Sequence, residues 1–165
     1  MVWEDSEKYL LKDDTTKQFL EKIPDLSEIV VPDDYKDIWK ESSYDVQVDK
    51  ATRYGLTDEQ RAKCFEGLVK RPYYLVNIAK SFDVKNIVEV GTAEGLQFYS
   101  FGKYASTVNG HVWSCDTRDV RNKNLISEYN HVTTFCPGTS TELSRSIPDG
   151  TLIDMFYIDA DHRRG

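Results

Sequence analysis

No stretch of the 165 residues approaches the ~20 consecutive apolar residues that a membrane-spanning helix needs, so no membrane partner is expected. The first residues, Met1-Val-Trp-Glu-Asp, lack a basic segment followed by an apolar one, so the expectation is a cytoplasmic protein with no secretory signal. Cysteine is scarce: Cys64, Cys115 and Cys136 are odd in number and show no metal-ligand spacing. Two of them fall in predicted strands, and reduced, buried thiols are expected. Excess positive charge is missing as well. The net charge is −7, and residues 1–60 hold 8 Lys/Arg against 16 Asp/Glu, while residues 61–165 hold 13 against 12. An acidic leader of net −8 on a body of net +1 excludes a nucleic-acid backbone as partner and reads as solvated surface. The sequence also lacks the Gly-x-Gly-x-x-Gly fingerprint of dinucleotide binding, because Ala93 stands where the second glycine belongs.

What remains suffices for one folded domain: 39% of residues are hydrophobic and 12% aromatic. Residues 1–56 are expected to form an acidic, helical or irregular extension that lies over the body as a lid or meets a partner. Tyr9, Leu10, Phe19, Leu20 and Ile23 suit short helices ended by Pro24, and Asp33 to Trp39 suits another turn. From Ser42 to Tyr54 apolar residues are sparse. Residues 57–165 form the predicted domain. Thr57-Asp58-Glu59-Gln60 has the form of a capping box, and a second helix is predicted from Tyr73 to Phe82 after Pro72. Strands are then expected at Ile87–Val90, His111–Asp116, Val132–Cys136 and Ile153–Ile158. They alternate with helices over Leu96–Ala105, Asp119–Tyr129 and Thr141–Ile147. Such alternation implies an α/β fold with a Rossmann-like parallel sheet and helices on both faces.

The stretch that organises the chain is Asn86-Ile-Val-Glu-Val-Gly-Thr-Ala-Glu-Gly95. A β-branched strand breaks into a glycine turn and then a helix, the unit that holds a nucleotide-like ligand above the carboxyl end of a sheet. Gly91 permits the sharp turn, and Gly95 permits close approach of a ligand or the strand. An ordinary strand-to-helix turn is the bland alternative. The pattern Glu89-x-Gly91-x-x-x-Gly95 resembles motif I of the class I S-adenosylmethionine-dependent methyltransferases. That cofactor carries an ammonium and a sulfonium and no phosphate, so an acidic turn suits it, whereas Glu94 would repel a pyrophosphate. The resemblance implies that Glu89, Gly91, Thr92 and Gly95 bind or shape the methionine end.

The other strand ends add candidates. Asp116 lies 25 positions after Gly91 and can accept both hydroxyls of a ribose, or cap the following helix. Thr139 and Ser140 follow the third strand, where this family borders the adenine; capping is again the alternative. Asp154-Met-Phe-Tyr-Ile-Asp159-Ala-Asp161-His162 resembles the strand-four motif of the caffeoyl-CoA O-methyltransferases. It also resembles that of the macrocin O-methyltransferase and cephalosporin-hydroxylase-like groups. The resemblance implies that Asp159, with Asp161, faces the reacting centre or a divalent cation such as Mg²⁺, which takes carboxylate oxygens. His162 suits a general base or a solvent-facing loop. His111 and His131 open strands and read as structural.

The resemblance covers roughly residues 73–165. It implies a seven-stranded sheet ordered 3-2-1-4-5-7-6, of which four strands, ordered 3-2-1-4, fit here. The expectation is a fragment truncated after strand four, or a second copy or other partner covering that strand's apolar edge. The implied function is S-adenosylmethionine-dependent O-methylation of a small molecule. A non-catalytic module built on the cofactor fold is the alternative, and an NAD(P)-dependent oxidoreductase is a more distant one.

Overall fold

Strand β1 (Asn86–Val90) is the centre of the sheet, and Ile87, Val88 and Glu89 are all buried. A strand covered on both faces carries a continuous apolar run rather than an alternating one, which is why this segment could be read directly. The computed structural model describes residues 14–160. β2 (His111–Asp116), β3 (Thr133–Pro137) and β4 (Met155–Ile158) complete a four-stranded sheet ordered β3-β2-β1-β4. Every pairing is parallel, with Val88 beside Trp113 on one side and Phe156 on the other. The expected α/β class and strand order are therefore both present. Chain order reverses between β1 and β4, and a ligand crevice opens at such a switch.

The helices are α1 (Asp14–Lys22), α2 (Asp33–Arg53), α3 (Asp58–Ser81), α4 (Leu96–Val108), α5 (Lys123–Tyr129) and α6 (Ser140–Ser146). One face of the sheet carries the larger core. Tyr35 and Ile38 of α2, Val76 and Ala79 of α3, and Phe98, Phe101 and Ala105 of α4 pack there around Ile87 and Val112. The opposite face holds Val88, Trp113 and Cys115 under Leu143 of α6. On that face the far end of β4 is bare: Phe156 is 65% exposed and Ile158 63%. Asp154 ties the start of β4 to β1 by accepting the Lys85 and Asn86 N–H groups, each at 2.9 Å.

Three helices differ from expectation. The single turn predicted from Asp33 continues to Arg53, because the buried stripe of Tyr35, Ile38 and Trp39 is carried on by the small residues Ser43 and Ala51. Small residues give little apolar signal yet let a helix lie close to its neighbours. Pro72 does not divide α3. A proline inside a helix costs about 3 kcal/mol. Here Pro72 is itself buried, and the next turns bury Val76 and Ala79 in the core, which offsets that cost. The Thr57–Gln60 capping box opens α3 as read from the sequence. α5 starts four residues later than Asp119, because Asn122 accepts the N–H groups of Asn124 and Leu125 and so sets the cap. Asp119 instead pairs with Arg121 at 2.8 Å. Cys115 and Cys136 are register neighbours and unbridged; Cys64, expected to be buried, is exposed on α3. Tyr9 and Leu10 lie outside the described residues. Among the described residues no helix is long and apolar enough to cross a membrane.

Candidate functional site

The turn after β1 is built by hydrogen bonds to its neighbours. The N–H groups of Gly91 and Thr92 both donate to the Cys115 carbonyl, at 2.9 and 3.3 Å, and Gly95 N–H donates to Thr92 O at 2.8 Å. Gly91 sits at φ +100°, and a Cβ there would lie 2.5 Å from the Asp159 carbonyl oxygen. Its lack of a side chain is thus required by the approach of the chain leaving β4, as well as by the turn. Gly95, at φ +91°, makes room for the Tyr99 ring, to which an added Cβ would come within 2.6 Å. The close approach expected there of a ligand or strand is taken by that ring, from the glycine's own helix. Ala93 holds φ +46°, a left-handed conformation that costs an L-residue roughly 1–2 kcal/mol. Asp116 stabilises it: Oδ2 accepts the Ala93 N–H at 2.9 Å, while Oδ1 accepts the Arg118 N–H at 3.2 Å.

Two clefts meet over this turn, sharing Gly91, Ala93 and Asp159. The larger, about 570 Å³, brings Asp116, Thr139 and Ser140 together at the ends of β2 and β3. The smaller, about 260 Å³, takes in Glu89, Thr92, Glu94, Gln97, Arg71 and Tyr157. Glu94 and Asp116 therefore border adjoining halves of one crevice. Thr139 also performs the capping role. Its hydroxyl accepts the Thr141 N–H at 3.3 Å and donates to Glu142, whose carboxylate accepts the Thr139 N–H at 2.8 Å.

Beneath the turn lies a buried polar chain. Glu89 is 1% exposed and its Oε2 accepts from Ser114 Oγ at 2.5 Å; Thr92 Oγ1 lies 2.5 Å from that same Ser114 oxygen. With the Ser114 proton given to Glu89, Thr92 donates to Ser114. Burial pushes the Glu89 carboxyl up to about 8; the Ser114 hydrogen bond opposes the rise, and the nearby charges of Asp159 and Asp116 add to it. At neutral pH this side chain is a neutral acid.

Asp159 closes β4. Its Oδ2 accepts from Arg71 Nη2 and, at 3.1 Å, from the Tyr157 hydroxyl. Arg71 Nη2 also donates to the Tyr157 oxygen at 2.6 Å. Burial raises the Tyr157 hydroxyl to about 12, with Arg71 opposing and Asp159 reinforcing the rise. A divalent cation at Asp159 would have to displace a guanidinium already seated there. Among the described residues no three His, Cys, Asp or Glu side chains gather in one place. Asp161 and His162 lie outside the described residues. His111 shares a 2.9 Å hydrogen bond with Thr134, in keeping with a structural part.

Arg71, Tyr157, Gln97 and Ser114 escaped the sequence reading. Tyr157 carried a signal, since alternate strand residues share a face and it stands two before Asp159. Ser114, polar within an apolar strand and in register with Glu89, carried another. Searches of protein-family models, curated proteins and solved structures return no match to the chain.

Proposed function

We propose that this chain binds S-adenosylmethionine across the carboxyl edge of its sheet and serves transfer of the methyl group to oxygen on a small molecule. The observation that carries the reading is the pair of adjoining clefts at the β1/β4 switch, with the carboxylates of Glu94, Asp116 and Asp159 on their borders. In this reading the adenosine lies in the larger cleft, where Asp116 receives the ribose hydroxyls. The Asp116 carboxylate has about four lone-pair positions, and only two are used by Ala93 and Arg118. Backbone at Thr139 and Ser140 borders the base. The methionine end, with its sulfonium, lies over Gly91 in the smaller cleft.

Methyl transfer from sulfonium is an in-line displacement, so the protein contributes chiefly position and charge. Glu89 holds the turn through Ser114 and Thr92, and Asp159 with Tyr157 borders the place where an acceptor would approach. Glu94 and Asp116 work against a diphosphate by like charge, which disfavours NAD(P). The test is calorimetry with S-adenosylhomocysteine and, separately, NADH. Binding of the first alone supports the reading; binding of NADH alone overturns it. Turnover of labelled S-adenosylmethionine with hydroxylated acceptors then separates an enzyme from a non-catalytic module on the same fold.

A further inference from the structure

Two of the three cysteines stand side by side near the carboxyl edge of the sheet. Cys115 of β2 and Cys136 of β3 are register partners on neighbouring parallel strands. Partners at one level of a parallel ladder lie about 4.8 Å apart and project from the same face. Here that face is the one under α6, where Cys136 packs against the cluster that holds Cys115 and Leu143. A disulfide needs Cα atoms about 4.4–6.8 Å apart and side chains that do not point away from each other, and the ladder supplies both. Both thiols are nevertheless free. β3 is the outer strand of the sheet, so no ladder on its far side resists a small shift towards β2. Each cysteine also sits at the root of one wall of the larger cleft. Cys115 borders that cleft, and its carbonyl accepts the Gly91 and Thr92 N–H groups that shape the turn after β1. The next residue, Asp116, is the wall itself. Cys136 leads through Pro137 and Gly138 to Thr139 on the opposite border, and Gly138 N–H donates to the Asp116 carbonyl at 2.9 Å.

We propose that Cys115 and Cys136 form a reversible disulfide, made by exchange with a small-molecule disulfide such as oxidised glutathione, which draws the two walls together and weakens binding in the larger cleft. Cys136, the less buried of the two, attacks one sulfur of glutathione disulfide as a thiolate and expels one glutathione thiolate. Cys115, 2% exposed, then attacks the Cys136 sulfur of the mixed disulfide and expels the second glutathione. One disulfide is broken and one is made. The two protein thiols are oxidised, two glutathione molecules are reduced, and the protons leaving the cysteines pass to them. Burial raises the Cys115 thiol, with Cys136 beside it adding to the rise, which leaves the opening attack to Cys136. The bond itself stands on the register of the strands. Its effect on a ligand rests on the proposed function, in which adenosine lies in this cleft.

The experiment treats the folded protein with oxidised glutathione and reads its thiols by mass spectrometry. Cys64, exposed on α3, is the internal control in wild type, since its modification shows that the oxidant is active. Cys64→Ser then isolates the pair. The expected product of Cys64→Ser has lost two hydrogens, carries no glutathione and is restored by dithiothreitol. Trypsin cuts at Arg118, Arg121 and Lys123, so the Cys115 and Cys136 peptides travel together only while the bond is present. In urea the oxidised protein should unfold at a higher concentration than the reduced one, as a cross-link between native neighbours requires. Thiols that stay reduced while Cys64 of wild type is modified overturn the proposal. So does a mixed disulfide that persists at Cys136, a bond that forms only in urea, or an oxidised protein less stable than the reduced one. Calorimetry with S-adenosylhomocysteine reads the cleft. Affinity should fall several-fold on oxidation of Cys64→Ser and return on reduction, and adding Cys136→Ser should abolish that response. Equal affinity in the oxidised and reduced forms overturns control of the cleft while the cofactor reading stands. If the reduced protein binds no S-adenosylhomocysteine, the cofactor reading and the control of binding fall together, and the peptide map alone decides the bond.

Discussion

Glu89→Gln converts the buried acid into a permanent imitation of its protonated form. The wild-type carboxyl is raised from 4.5 to about 8 chiefly by burial. Between those values the unfolded chain has released its proton while the folded chain still holds one. The protonated native state therefore contributes fully below about pH 4.5, and its advantage is lost as pH rises towards 8. A rise of about 3.5 units sets a ceiling on the order of 5 kcal/mol, at 1.36 kcal/mol per unit. Relaxation and water entry on ionisation bring the measured effect down to about 2–3 kcal/mol. Urea unfolding of both proteins from pH 5 to 8.5 reads it. The substituted amide keeps an oxygen for Ser114, so at pH 5 the two should lie within about 1 kcal/mol, the net worth of one hydrogen bond. At pH 8 the variant should be the more stable. Groups shared by both proteins, the histidines included, cancel in the difference. Parallel curves across this range would show that Glu89 is ionised in the fold and would refute the neutral-acid assignment.

Other substitutions test separate parts of the site. Asp116→Ala should weaken S-adenosylhomocysteine binding by about 1–3 kcal/mol, the cost of leaving buried polar groups unpaired, as read by calorimetry. Gly91→Ala puts a methyl group 2.5 Å from the Asp159 carbonyl at φ +100°. A loss of roughly 1–3 kcal/mol from backbone strain alone is expected in denaturant unfolding, and unchanged stability would contradict the packing described. Asp154→Ala removes the acceptor of two β1-side N–H groups. It should cost about 1–2 kcal/mol and raise hydrogen exchange at Lys85 and Asn86.

The parts of this fold that could be read from sequence are those decided locally. β1 is a β-branched run and β2 buries Val112 and Trp113 side by side, and the Thr57 box and the Gly91 turn announce themselves within four or five residues. The parts that could not be read are decided by distant neighbours. α2 continues past Trp39 because Ser43 and Ala51 fit beneath it, and neither residue type signals burial. Pro72 marks a helix break by local rules and is overruled by the core on both sides of it. The site divides in the same way. Glu89, Gly91 and Asp116 follow from strand-end spacing. Arg71 meets its partners 86 and 88 positions away, and no spacing rule spans that distance. The neutral state of Glu89 depends on burial by the sheet and by α4, which composition cannot supply.

Crystals grown with S-adenosylhomocysteine would place the ligand against these side chains. The expected picture has both ribose hydroxyls on Asp116, the sulfur over Gly91 and the amino-acid end beside Glu94 and Gln97. Ligand lodged away from the β1/β4 crevice, or Asp116 turned from the ribose, would contradict the binding of this cofactor as derived from the fold.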